Sequence, residues 1–425
     1  MKKLLALLLC LLMIVPTTLG LAEDNVTITL WTYPIGSWVD DAVVKGIVAD
    51  FNAQYPNITV KVEYLDYTSG DDTVSAAIEA GTTPDIIMEG PERLVTNWGA
   101  AGKMLDLSDL WTEEALADIS ATSEAVVAAC KSNDGIFYEY PLCMTTHCMT
   151  INKQYFEAAG ALQYIDEATH TWTTENFINA CKALTEAGYL SGVVYCGGQG
   201  GDQGTRALAM NLYSAEFTNA EHTAYTMDSE AGIQGITLLQ SLVNDGVLAA
   251  DPAIVASDEI ALFCNGTTAM SFCWNAAAAV SNKASLAETV TSFPMAFPSD
   301  DGVPALCGGI WGFGCFDNGD AARAEAAKTF IKFVCDDATE GPKSVYATGF
   351  FPVRASFGDV YAGTEKASNA DFAVFMPFLG DYYNVTSGWA IQRTEWWNML
   401  QRVFAGGDVA TEVGVYVTNA NASIK

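Results

Sequence analysis

The chain has only three histidines, His147, His170 and His222, and they lie far apart. No H-x-x-x-H pair, EF-hand loop or C-x-x-C occurs, so the usual sequence signs of a bound metal are missing and no cofactor is expected. Basic residues are scarce: 20 Lys and Arg stand against 51 Asp and Glu, a formal charge of −31. That sign repels nucleic acid and anionic membrane, which argues against both as partners. The serine-hydrolase pattern G-x-S-x-G is absent. Beyond the first residues no run approaches the ~20 apolar residues of a transmembrane helix. The carboxylates are scattered and half the residues are hydrophobic, which describes a folded acidic protein rather than a disordered tail.

What is present begins with an export signal. Lys2 and Lys3 precede an apolar run from Leu4 to Val15, and Gly20-Leu-Ala22 reads as a cleavage site. Residues 1–22 are therefore set aside, leaving about 400 residues, enough for two lobes. Cys10 lies deep in the apolar run behind Leu9, whereas a lipid-anchor site wants a small residue there; a released or loosely held protein is expected. Ten cysteines follow: Cys130, Cys143, Cys148, Cys181, Cys196, Cys264, Cys273, Cys307, Cys315 and Cys335. Many sit in apolar runs, so most are expected as buried thiols, with one or two bridges left open.

The mature part opens on Val26-Thr-Ile-Thr-Leu-Trp-Thr-Tyr33, a β-branched and apolar run bounded by Pro34 and Gly36, which reads as a buried strand. A helix with Val39, Val43, Ile47 and Phe51 on one face follows and ends before Pro56. The segment 58–64 alternates as a strand, a helix stops at Gly81, and Pro84–Glu89 is a third strand. This βαβ rhythm predicts an α/β fold with a sheet covered on both faces. Strands are further expected at 136–142, 144–151, 193–196, 267–273, 293–298 and 306–316. Thr174 is the expected cap of a helix over 175–187. The glycine-rich segment 197–204 lacks the Lys-Ser/Thr ending of a phosphate loop and is expected as a flexible loop.

Several segments, in order, resemble one family. They are Phe51-Asn-Ala-Gln-Tyr-Pro-Asn-Ile58, Ala80-Gly-Thr-Thr-Pro-Asp85, Ile151-Asn-Lys-Gln-Tyr-Phe-Glu-Ala-Ala-Gly160, Thr171-Trp-Thr173, Phe263-Cys-Asn-Gly-Thr-Thr-Ala-Met270, Gly308-Gly-Ile-Trp-Gly-Phe313 and Thr348-Gly-Phe-Phe-Pro352. Together they are similar to the maltose-binding-like solute-binding proteins of bacterial carbohydrate ABC importers. Ile151 and Thr267 depart from the family's usual Tyr and Lys, and neither is given a ligand role. The resemblance implies a two-lobe periplasmic-binding-protein-like (type II) fold with discontinuous lobes, 23–138 plus 293–336 and 139–292 plus 337–425. The chain is expected to cross between them near Tyr138–Tyr140, near Phe293–Pro298 and after Cys335. It also implies a monomer, exported to the periplasm or the outer face of the membrane, that passes a sugar to membrane permease subunits.

Candidate ligand residues lie where strands end and where the family's binding residues fall: Trp31, Tyr33, Glu89, Thr146, His147, Trp274, Trp311 and Arg354, with Trp389 as a weaker addition. Aromatic faces suit the C–H faces of a sugar, and fixed polar groups suit its hydroxyls. For each aromatic the competing reading is core packing. Two other functions stay open at this stage. Asp85 and Glu89 are spaced to share one side of a strand, as a glycosidase pair would. Glu89 with an aromatic box would also suit a polyamine.

Overall fold

A computed structural model describes residues 25–66, 69–198 and 203–424. The expected export signal, including Cys10, and residues 199–202 of the glycine-rich segment lie outside the described residues. Eleven strands are seen among them: β1 (Val26–Thr32), β2 (Ile58–Tyr64), β3 (Ile86–Glu89), β4 (Tyr140–Thr146), β5 (Cys148–Asn152), β6 (Val193–Tyr195), β7 (Ala249–Asp251), β8 (Met270–Trp274), β9 (Ser292–Met295), β10 (Gly308–Cys315) and β11 (Phe351–Pro352).

The first sheet runs β11-β4-β10-β3-β1-β2. β1 pairs in parallel with β2 and β3, as βαβ connections require. β10 inserts antiparallel between β3 and β4. Ile28 and Leu30 of β1 and all four residues of β3 are buried. The helix Asp41–Gln54 begins at Asp40, whose side chain accepts from the Ala42 amide at 2.9 Å. It turns Val44, Ile47, Val48 and Phe51 to the core, and the expected Val39 is 52% exposed in the preceding turn. Gly81 caps the next helix at φ +66°, as expected of a left-handed glycine. The helix Thr174–Glu186 is capped by Thr173, one residue earlier than expected.

The second sheet, β8-β5-β9, is antiparallel, and the β6-β7 pair lies near it, bridged through Leu190 and Thr268. The C-terminal helices Trp389–Phe404 and Val409–Ala422 pack on each other and on the helix Glu230–Asn244.

The chain passes between the two sheets at three places held side by side. The His147 amide donates to the Cys307 carbonyl at 2.8 Å, the Leu306 amide to the Phe378 carbonyl at 2.8 Å, and the Gly380 amide to the Leu306 carbonyl at 2.9 Å. These crossings differ from the expected ones. Residues 140–146 remain in the first sheet, and the break falls at His147. Residues 292–295 pair with β5, so the return comes only at 306–307. The helix Glu340–Thr348 and β11 still pack against β4, so the last crossing is at 379–380 rather than after Cys335. Pro141 lies inside β4 opposite Gly312, where the β4–β10 register shifts and the ladder is irregular enough to tolerate a proline.

Ten free thiols are described, nine buried and Cys273 partly so. No helix among the described residues is long and apolar enough to cross a membrane.

Candidate functional site

Between the two sheets, beside the crossings, lies a cleft of about 920 Å³. That is at the upper end of ligand-sized pockets, roughly 300–1,000 Å³. One wall comes from the first sheet: Glu89 at the end of β3, Glu92 and Arg93 on the following helical turn, and Gly308, Gly309 and Trp311 on β10. The other comes from Gln203 and Arg206 on the helix Gln203–Asn211 and from Trp389 and Arg393 at the start of the helix Trp389–Phe404. His147, at the first crossing, and Tyr382, just past the third, close its floor.

Trp311 is partly exposed on the cleft wall, whereas every other residue of β10 is buried. One face of the indole stacks on Phe350, centroids 4.6 Å apart and planes at 17°. A Cβ on Gly309 would come within 2.2 Å of the indole, so only glycine leaves it room.

Glu89 is 1% exposed on the cleft wall. Its Oε1 accepts from Arg93 Nη1 at 2.7 Å, while its Oε2 has no partner among the described residues. Arg93 also grips Asp71 with a fork, Nε to Oδ1 at 2.7 Å and Nη2 to Oδ2 at 3.0 Å. Tyr33 supports this set from behind: its hydroxyl donates to Asp71 Oδ1 at 2.6 Å, and its ring lies 5.2 Å from the Arg93 guanidinium. Burial, then the charge of Glu92, push the Glu89 carboxyl up, with Arg93 opposing. Burial raises Asp71 too, but the bonds from Arg93 and Tyr33 outweigh it and hold Asp71 below the usual carboxylate range. Glu92 is raised by burial, against the pull of Arg93, the Tyr382 hydroxyl and Arg393.

On the other wall Arg206 is 1% exposed and ringed by aromatic faces, with Trp389 at 4.7 Å and Phe217 and Tyr383 each at 5.6 Å. Arg393 stands 5.6 Å from the Trp389 ring. Gln203 Nε2 and His147 Nε2 lie 3.1 Å apart. Gln203 Oε1 and Thr386 Oγ1, both on the cleft, are buried atoms with no partner among the described residues. The lining thus holds three carboxylates, Asp71, Glu89 and Glu92, and three guanidiniums, Arg93, Arg206 and Arg393. Such a cleft carries little net charge and offers unfilled hydrogen-bonding atoms to a ligand rich in hydroxyls.

Of the residues expected here, Glu89, His147, Trp311 and Trp389 line the cleft. The other five do not line it. Trp31 faces the same side of β1 as Thr29, in a separate surface hollow with Glu63 and Arg323, because alternation along the strand turns it from the cleft. Thr146 is buried behind the wall, paired across to Gly308. Trp274 is 1% exposed in the core, its ring edge-on to Phe263 at 5.5 Å. Arg354 is locked in the first lobe. It donates to the Cys335 carbonyl at 2.9 Å and the Tyr140 hydroxyl at 2.6 Å, and it pairs with Asp336. Tyr33 is fully buried and reaches the site only through Asp71 and Arg93.

Asp71, Glu92, Arg93, Gln203, Arg206, Tyr382 and Arg393 were not foreseen. For Arg93 a signal existed: it stands four residues after Glu89 in a turn opened by Pro91. The others are brought in by tertiary packing. Asp85 does not join Glu89. It is taken up at the far end of β3 by the Thr29 amide at 2.7 Å and Arg323 at 2.7 Å, so the glycosidase-like pair left open by spacing is not assembled.

Two α/β halves around a polar, aromatic-lined cleft, joined by three side-by-side crossings, define a solute-binding architecture. The profile of the bacterial extracellular solute-binding proteins matches residues 36–340, and the chain belongs to that family. Comparison with curated proteins finds no match. Among solved structures, the sugar-binding protein MalE from Xanthomonas citri aligns at a TM-score of 0.75 with 15% identity, over 93% of this chain and 96% of that one. A cyclic α-maltosyl-1,6-maltose binding protein from Arthrobacter globiformis gives 0.74 and 17%, over 94% and 99%. An ABC substrate-binding protein from Listeria monocytogenes, solved with cycloalternan, gives 0.68 and 19%, over 94% and 99%. At these identities the likeness is one of fold.

Proposed function

We propose that this protein is the exported binding subunit of an ABC importer, that it holds a neutral oligosaccharide in the cleft, and that it delivers it to membrane permease subunits. It acts as a monomeric binder, not as an enzyme. The observation that carries the reading is the cleft lining: Trp311 exposes aromatic surface on one wall and Trp389 does so on the other, amid balanced charges and the unfilled acceptors Glu89 Oε2 and Gln203 Oε1. The size of the cleft favours a ligand of more than one ring. The solved relatives that bind oligosaccharides support the same class. A polyamine is disfavoured because Glu89 and Asp71 already hold Arg93, and Arg206 and Arg393 face them.

The two halves turn about the crossings at His147, Leu306–Cys307 and Leu379–Gly380, so that closure brings both walls onto the ligand. Calorimetric titration tests the class. The panel is neutral tri- to hexasaccharides of the gluco-, xylo- and galacto-series, with putrescine and spermidine as the cationic arm. One saccharide series should bind and neither amine should. Binding of an amine with no saccharide would overturn the reading.

A further inference from the structure

Trp31 is an aromatic that the cleft leaves unused. Alternation along β1 puts it on the side of Thr29, and its register partner on β2 is Glu63. The indole is partly exposed, and among the described residues it makes no hydrogen bond and no ring contact. The hollow around it measures about 700 Å³, within the roughly 300–1,000 Å³ of ligand-sized pockets. Its lining comes from residues 29–103 and 316–323 and shares no residue with the cleft.

The lining joins apolar surface to groups of both signs. Phe316 is buried and Ile78 partly so. Lys103 and Arg323 supply two positive groups, and Glu63 and Asp317 two negative ones, so the formal charges cancel. An anion or a cation would meet as many repelling groups as attracting ones. A hydroxyl both donates and accepts, so it can use either sign.

The walls are pinned before any ligand arrives. Arg323 Nη2 donates to Asp85 Oδ2 at 2.7 Å, Thr83 Oγ1 to Asn318 Oδ1 at 2.6 Å, and Asn318 Nδ2 to the Pro84 carbonyl at 3.2 Å. These bonds hold the Arg323 guanidinium yet leave its buried Nε without an acceptor among the described residues. A fixed guanidinium and a half-exposed indole in one hollow suit a sugar ring, with C–H faces on the aromatic and hydroxyls on the polar rim.

We propose that this hollow is a second saccharide site, carried by the first lobe alone, with Trp31 as its stacking platform and Arg323 and Lys103 as donors to hydroxyls. It takes a neutral saccharide whether the cleft is open or closed. It is open to water and touches its ligand from one lobe only, so it holds more weakly than the cleft.

The test is nuclear magnetic resonance of protein labelled at the tryptophan indole nitrogens, titrated to millimolar concentration with each neutral hexasaccharide of the panel. The Trp31 signal is assigned by its loss in Trp31→Phe. It should shift with one saccharide series after the cleft has saturated, and it should shift equally in Trp311→Ala. Trp31→Thr, which matches Thr29 on the same face, should weaken the second calorimetric step by about tenfold or more, as for an aromatic anchor. Lys103→Ala, at an exposed position, should weaken it by about two- to tenfold, the loss of one hydrogen bond. Thermal midpoints confirm that each variant folds. A Trp31 signal unmoved by every saccharide, or one whose shift is lost in Trp311→Ala, would overturn the proposal. Saturation of the cleft with no Trp31 shift removes the hollow and leaves the cleft reading standing. A Trp31 shift without binding in the cleft does the reverse, and binding at neither removes both.

Discussion

Trp311→Ala separates ligand stacking from core packing. The indole is partly exposed on the cleft wall, and its fixed contact is the stack on Phe350 at 4.6 Å. Losing that stack costs about 0.5–1.5 kcal/mol beyond the area buried, so the folded state should tolerate the change. If the free face meets a sugar ring, its loss should cost roughly 2–4 kcal/mol of binding, as for a buried aromatic anchor. In dissociation constant that is about thirtyfold to a thousandfold. Trp274→Ala is the control with the opposite signature. Its ring is 1% exposed, and a buried tryptophan removed to alanine costs about 3–5 kcal/mol of stability. The assay pairs calorimetric affinity for the bound saccharide with the thermal midpoint, on both variants. Trp311→Ala should lose affinity with a small fall in midpoint; Trp274→Ala should lose midpoint with affinity kept. If Trp311→Ala instead lowers the midpoint as far as Trp274→Ala does and leaves affinity intact, the stacking argument is refuted.

Arg354→Ala should lower the midpoint without changing affinity, since breaking a buried ion pair costs about 3–5 kcal/mol and the cluster of Arg354, Asp336 and Tyr140 lies outside the cleft; an affinity loss at unchanged midpoint would contradict this. Glu259 is pushed up to about 8 by burial, despite bonds from the Ser271 hydroxyl and the Phe272 amide. The folded chain therefore keeps a proton that the unfolded chain releases near its ordinary value, so this contribution to stability falls as pH rises from that value through about 8. Thermal scans of native protein and Glu259→Gln should diverge in the variant's favour between pH 6 and pH 9, and parallel curves would count against it. The ten described thiols should react slowly in the folded protein and fully in denaturant without reductant, because nine are buried and burial raises those for which a shift is seen. Four or more disulfides would contradict that.

The order of strands and helices was legible because period-two and helical patterns, Gly81 and Pro56 mark it locally. The crossings were not. Cys143-Met-Thr-Thr146 and Cys148–Asn152 form a nearly continuous run with no Gly or Pro at His147 to mark the break. The site was partly legible for the same reason. Glu89 follows from its place at the end of β3, and Trp311 from the resemblance around Gly308-Gly309. Trp274 also ends a strand, yet it packs edge-on to Phe263, because a strand end does not reveal which face meets the core. Arg354 drew notice as a charge beside a conspicuous turn, when Asp118 and Asp336 had already claimed it. Arg206 and Arg393 left no local sign at all; rings and residues more than a hundred positions away from Arg206 decide where it sits.

The central claim is that the cleft takes a neutral oligosaccharide. Native mass spectrometry of protein purified without denaturation, then mixed with an equimolar pool of neutral oligosaccharides, putrescine and spermidine, tests it directly. The predicted result is a single saccharide adduct that disappears in Trp311→Ala. A polyamine adduct alone, or a saccharide adduct of undiminished strength in Trp311→Ala, would contradict the account.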